Sequence, residues 1–103
     1  MKPKHNVIVR KPAYAMLDKH VAFLARVSEK AANRLRADII GAIRGLDSNP
    51  QRHPLWQPYY ELPKEFRRIY VNKRYIILFT IKDNNVIVSY VLDTRMNNKE
   101  IFK

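Results

Sequence analysis

A chain of 103 residues without cysteine can form one modest hydrophobic core, but it can form no disulfide, no thiolate metal site and no thiol nucleophile. No apolar run approaches the ~20 residues that span a bilayer, and the N-terminus lacks the apolar run of a signal peptide. Twenty lysines and arginines against nine acidic residues give a formal charge of +11, which predicts a polyanionic or acidic partner. We therefore expect one cytoplasmic domain over residues 1–103, with no membrane contact.

The first half of the chain predicts one strand and two helices. The β-branched run at 6–10 is typical of a short strand. Apolar residues recur at helical spacing over 12–27, and a second helix is predicted from 29 to about 46, with Ser28 as its N-cap. Asp47-Ser48-Asn49-Pro50 ends that helix. Two helices with so short a connection predict an antiparallel hairpin that covers one face of a sheet.

The segment 50–63, PQRHPLWQPYYELP, holds four of the six prolines, so regular structure is not expected there. It also carries Trp56, the only tryptophan, and two tyrosines. We interpret it as a loop pinned onto the core or a sheet edge, with stacking on nucleic-acid bases as the alternative. His53 is a candidate site residue in this loop, although a lone loop histidine is usually solvated.

Three strands are predicted in the second half, at 66–71, 74–81 and 86–92, with tight turns at Asn72-Lys73 and 83–85. The middle strand is apolar on both faces, so we expect it to be buried on both sides. The fold class is therefore α+β. It comprises an N-terminal strand and an antiparallel helical hairpin packed on a small antiparallel sheet, which ends in a C-terminal three-strand meander.

Several kinds of site find no support in the sequence. The only glycines, Gly41 and Gly45, lie inside a predicted helix, so there is no glycine-rich phosphate loop. His5, His20 and His53 fall on three different elements without acidic neighbours at ligand spacing. No serine has the setting of a hydrolase triad. We therefore expect neither a metal nor a cofactor.

What remains is a set of cations on and near the predicted meander. Its members are Lys64, Arg67, Arg68, Lys73, Arg74 and Arg95. Arg67 and Arg68 must point to opposite faces of their strand, and we expect Arg95 to share a patch with one of them. Such a patch can bind phosphates and stabilise charge in a transition state, or it can seat an acidic peptide. The alternative interpretation is solvated surface charge.

The order of elements (strand, helical hairpin, basic meander ending in Asp-Thr-Arg) resembles the RelE/ParE superfamily, the toxins of type II toxin–antitoxin or plasmid-stabilisation modules. The segments that carry the resemblance are AFLARVSEKAANRL, LDSNPQRHPLW and KRYIILFTIKDNNVIVSYVLDTR, and it covers nearly the whole chain. The resemblance implies the fold given above. It also implies a growth-inhibiting toxin held inactive by a cognate acidic antitoxin.

The resemblance implies two different activities. RelE-type members are ribosome-dependent mRNA interferases that cut mRNA without a metal, whereas ParE-type members inhibit DNA gyrase. Of the two activities we prefer mRNA cleavage; gyrase inhibition, or an inactive relative that only binds its antitoxin, is the alternative.

If the chain is a nuclease, three arginines would bind phosphate and offset transition-state charge, and a lysine or a histidine would transfer protons. These are Arg67, Arg74 and Arg95, with Lys64 or His53. The residues expected to bind nucleic acid or antitoxin are Arg68, Lys73 and Tyr75. Arg95 matches the basic residue that ends the last strand in the nucleases. Ile76 departs from the family, because many nucleases have an arginine directly after the aromatic residue that opens the central strand.

Overall fold

The computed structural model describes residues 4–96 and 98–102, and it confirms the predicted α+β arrangement. The strands and helices are β1 (Asn6–Val9), α1 (Lys11–Ala25), α2 (Glu29–Arg44), β2 (Arg67–Val71), β3 (Tyr75–Lys82) and β4 (Asn85–Asp93). Single 3-10 turns lie at Gly45–Asp47, Pro50–Arg52 and Lys99–Phe102. Within the described ranges, no helix is long and apolar enough to cross a membrane.

The four strands form one sheet in the order β1-β4-β3-β2. The predicted meander is present, since β3 pairs antiparallel with β2 on one side and with β4 on the other. β1, however, runs parallel to β4, with Val7 opposite Val86, so the complete sheet is mixed rather than antiparallel throughout. Because β1 finds its partner at the far end of the chain, no local sequence pattern determines its direction.

The two hairpin turns lie where the sequence places them. Asn72 and Lys73 both have positive φ, 54° and 59°, and Arg74 N donates to Val71 O at 3.2 Å. This is the primed turn whose twist matches that of the flanking strands. Asp83, with φ 56°, makes the second turn. These turns set the register in which the basic residues of the meander are presented.

The core has two layers, one on each face of the sheet. The helical hairpin covers the first face, where the fully buried residues include Leu17, Ile39, Leu46, Ile77, Phe79, Val86 and Val88. The second face carries a smaller cluster, Phe66, Ile76, Leu78 and Leu92. Met16 of α1 packs against that cluster, as do Trp56 of the proline-rich loop and Phe102, whose rings are 5.8 Å apart. The predicted pinning of the loop and the burial of β3 on both sides are therefore confirmed.

Replacing Ser28 with alanine should lower the free energy of unfolding by about 1 kcal/mol. The Ser28 Oγ accepts a hydrogen bond from Ala31 N at 3.1 Å, and alanine would leave that N–H at the start of α2 without a partner. Urea denaturation measures the change. Ser48→Ala is the matched control, because the exposed Ser48 hydroxyl donates only to its neighbour Asp47. Equal losses in the two variants would contradict the capping role.

Candidate functional site

The strand register divides the predicted cations into two separate groups. Arg67 and Arg68 are the first two residues of β2, whereas Arg74 follows the turn after its last residue. Thr94 N donates to Arg74 O at 2.7 Å, so Arg95 lies beside Arg74. The prediction that Arg95 shares a patch with Arg67 or Arg68 is therefore wrong. In an antiparallel meander the third strand runs parallel to the first. The ends of these two strands therefore lie at the same edge of the sheet, and the start of the first strand lies at the opposite edge.

Arg67 is bound within the chain. It pairs with Phe79 of β3, which is in the core on the helix side. Its Nη1 donates to two backbone carbonyls of the proline-rich loop, Gln51 O at 3.2 Å and His53 O at 2.6 Å. A guanidinium held by two carbonyls fastens the loop to the start of β2. This structural role explains why an arginine is present at position 67 without invoking a ligand.

His53 sits beside Arg67 but is a poor proton carrier at neutral pH. Its half-buried ring meets the Phe79 ring edge-on, with centroids 5.8 Å apart. Burial lowers the pKa of His53, and the charges of Arg52 and Arg67 lower it further. The imidazole is therefore neutral. Lys64 is exposed on the loop, and no hydrogen bond or ion pair in the described part of the chain joins it to His53.

Arg95 is held by an acidic residue that the sequence analysis did not single out. Its Nε and Nη2 donate to the two carboxylate oxygens of Asp93, at 3.1 and 2.8 Å, and its backbone N donates to Asp93 Oδ1 at 2.9 Å. These hydrogen bonds lower the pKa of Asp93, although burial acts in the opposite direction, and they raise the pKa of Arg95. The Asp-Thr-Arg triplet is the sequence feature from which this pair could have been predicted. It places a nearly buried carboxylate two residues before an exposed guanidinium.

The three residues predicted to bind nucleic acid or antitoxin lie in different settings. Tyr75 is buried on the helix side, 5.2 Å from the ring of His20, which leaves little of it for a partner. Arg68 lies on the other face of the sheet, with its guanidinium 4.8 Å from the centre of the Tyr70 ring. Lys73 is exposed in the β2–β3 turn. Of the three, Lys73 alone is exposed next to Arg74 and Arg95.

An open groove of about 640 Å³ runs between β1 and the two helices. Its apolar lining comes mainly from Val7, Val9, Leu17, Ile40 and Ile43. β1, which lines the groove, is an edge strand: it pairs with β4 on one side, and on its other side it has no strand partner in the described part of the chain. Sequence patterns reveal apolar faces but not gaps between them, and so they do not predict the groove.

A metal centre is not apparent in the described residues, where no group of three or more histidine, aspartate or glutamate side chains is placed to hold an ion. His5 Nδ1, at one end of the groove, is buried and lacks a hydrogen-bond partner within the described structure.

The family model described as "ParE toxin of type II toxin-antitoxin system, parDE" matches residues 7–98, from β1 to beyond the end of β4. The chain belongs to the ParE toxin family. A solved structure described as "Chromosomal ParDE TA system from P. aeruginosa" has the same fold as this ParE-family chain. It aligns with a TM-score of 0.69 and 15% sequence identity, over 87% of this chain and 96% of that chain. No curated protein sequence matches the chain.

The comparisons confirm the resemblance to the RelE/ParE superfamily and place the chain on its ParE side. At 15% identity the solved structure supports the fold alone. The target of this ParE-family chain therefore does not follow from that likeness.

Proposed function

We propose that this ParE-family toxin inhibits DNA gyrase and does not cut mRNA. The observation that carries the proposal is that the residues expected to form a nuclease site do not converge. Arg67 and His53 lie at the start of β2, while Arg74 and Arg95 lie beyond its end. Metal-free cleavage needs cationic groups arranged around one reacting phosphate, and two of these arginines already bind groups within the chain. Ile76, in place of an arginine, favours the same conclusion.

Gyrase inhibition can be tested with purified components. The toxin is added to gyrase and relaxed plasmid, and in parallel to ribosomes programmed with a defined mRNA. We expect loss of supercoiling and intact mRNA. Cleaved mRNA with undisturbed supercoiling would establish the nuclease instead, and induced expression without growth arrest would indicate an inactive relative. Because gyrase works in the cytoplasm, the proposal places the action of the toxin there.

We further propose that a ParD-like antitoxin neutralises this chain, since the similar structure is described as a ParDE TA system. The groove beside β1 supports this, since it offers an apolar floor and a free strand edge. A segment with one apolar face fits such a groove. The charge of +11 accelerates the approach of an acidic segment, which is disordered until it binds.

Reversing the charge at the groove should weaken antitoxin binding by about tenfold. Arg44, the last residue of α2, is exposed and lines the groove, so Arg44→Glu places a carboxylate where an acidic segment docks. Fluorescence anisotropy with labelled antitoxin measures the dissociation constant. Lys82→Glu makes the same charge change at an exposed position at the end of β3 and should alter binding far less. Equal effects would mean that only net charge matters.

A further inference from the structure

The tip of the helical hairpin, residues 23–30, lies at one end of the sheet. His20 Nε2 lies 2.8 Å from Val91 O, close to the end of β4, which ends at Asp93. The next three residues of α1 advance about 5 Å further, at 1.5 Å per residue. On the returning helix, Asp38 accepts a hydrogen bond from Asn72 in the β2–β3 turn at 3.2 Å. The tip, the β2–β3 turn and the end of β4 therefore lie at the same end of the molecule.

Large apolar side chains at this end are left uncovered. Phe23 is 64% exposed and Val27 83% exposed, and Met96 just beyond β4 is 62% exposed. Phe23 and Val27 are four residues apart in a segment that stays helical, since Val27 N donates to Leu24 O at 3.0 Å, so they are neighbours on one face. Uncovered apolar side chains that cluster in this way are typical of a docking surface.

Exposed cations lie at the same end of the molecule as these apolar side chains. They are Arg26, Lys30 and Arg34 on the hairpin, Lys73 and Arg74 in the β2–β3 turn, and Arg95 after β4. The acidic residues at the same end are mostly engaged, because Asp38 accepts from Asn72 and Asp93 holds Arg95. Glu29, in the first turn of α2, is the exception in the described part of the chain. This end of the molecule is therefore both basic and apolar.

We propose that this end, the tip surface (residues 23–34, 73–74 and 95–96), docks onto an acidic protein surface with an apolar pocket on the target that the toxin inhibits. The identity of that target rests on the proposed function. A nucleic-acid backbone would neutralise the cations but leave Phe23 and Val27 against water. A protein surface with carboxylates around an apolar pocket satisfies both features, in the manner of an interface with an apolar centre and a polar rim.

The tip surface is separate from the groove. The groove is lined by the last turns of α2 and by residues up to Asp47, whereas the tip surface begins at the opposite end of the same helix. Target binding and antitoxin binding therefore use different residues. This separation makes the proposal testable with variants that affect one and spare the other.

The test compares Phe23→Asp/Val27→Asp and Arg26→Glu/Lys30→Glu with wild type. The control for the apolar pair is Tyr59→Asp, at a side chain that is 87% exposed on the proline-rich loop. The control for the charged pair is Lys82→Glu, at another exposed position. Each variant is assayed for gyrase supercoiling, for growth arrest on induction, for antitoxin affinity by anisotropy, and for its melting temperature. We expect the tip variants to lose inhibition by at least about tenfold, as for buried anchors of an interface, with antitoxin affinity and melting temperature retained.

Two results would overturn the tip surface: tip variants that inhibit as well as wild type, or tip variants whose antitoxin affinity falls by the same factor as their inhibition. Failure of the proposed function looks different, because wild type would then arrest growth without affecting supercoiling. In that case the growth-arrest assay still tests whether the tip surface docks onto a target. Loss of arrest in the tip variants alone supports docking to another target, and retained arrest refutes it.

Discussion

Replacing Phe79 with alanine should lower the free energy of unfolding by about 3–5 kcal/mol. Phe79 is fully buried in the central strand, under the helical hairpin and against the ring of His53. Removing its ring leaves a cavity that neighbouring strands on both sides prevent from collapsing. Since a domain of this size has a total stability of about 5–15 kcal/mol, the variant should unfold far more easily than wild type. Urea denaturation followed by the fluorescence of Trp56 measures the loss.

Phe23→Ala is the matched control for Phe79→Ala. It makes the same chemical change at a side chain that is 64% exposed, so the free energy of unfolding should change by no more than about 0.5 kcal/mol. A similar loss in both variants would mean that the hairpin tip is part of the core, and would contradict the burial on which the first prediction depends.

Asp93→Ala should cost about 1–3 kcal/mol of stability at neutral pH. Asp93 is only 7% exposed, and its carboxylate accepts three hydrogen bonds from Arg95, one from its backbone and two from its guanidinium. Alanine removes the acceptor and frees the Arg95 side chain from its fixed orientation. Thermal melting measures the loss, and Asp18→Ala is the control, because the ion pair between Asp18 and Arg36 is exposed and should contribute little.

The same carboxylate should make stability depend on pH in the acidic range. Because the hydrogen bond from Arg95 holds the pKa of Asp93 below its value in the unfolded chain, ionised Asp93 stabilises the fold fully above that unfolded value. The contribution is lost as the pH falls through the lower, folded pKa. The melting temperature of wild type should therefore fall more steeply on acidification than that of Asp93→Ala. Parallel curves would show that Asp93 is not coupled to folding.

Most of the fold could be predicted because its signals are local. The continuous apolar run of β3, the cap at Ser28 and the positive-φ turn at Asn72 each act within a few residues, and the structure confirms all three. The direction of β1 could not be predicted, because its partner β4 is remote in sequence. For the same reason the groove, which lies between elements, has no signature in the sequence.

The candidate site was harder to predict, because residue type does not reveal what a charged group already binds. Arg67 and Arg95 look equivalent in the sequence, yet one fastens a loop through two carbonyls and the other is oriented by Asp93. Their separation follows from strand direction, because the end of β4 lies at the same edge of the sheet as the end of β2 and not as its start. The exposure of Phe23 was equally hidden, since an aromatic residue within a helical pattern is normally assigned to the core.

The pairing of β1 with β4 has a consequence for the timing of synthesis. Asn6 Nδ2 donates to Asn85 Oδ1 across 79 positions of the chain, so the edge strand has no partner until β4 leaves the ribosome. Contacts this remote also slow folding, because the chain must close a long loop before they form. β1 forms one wall of the groove, and the end of β4 carries Arg95. A partly translated chain therefore has an incomplete groove and a tip surface without Arg95, and both surfaces are completed only after β4 has been made.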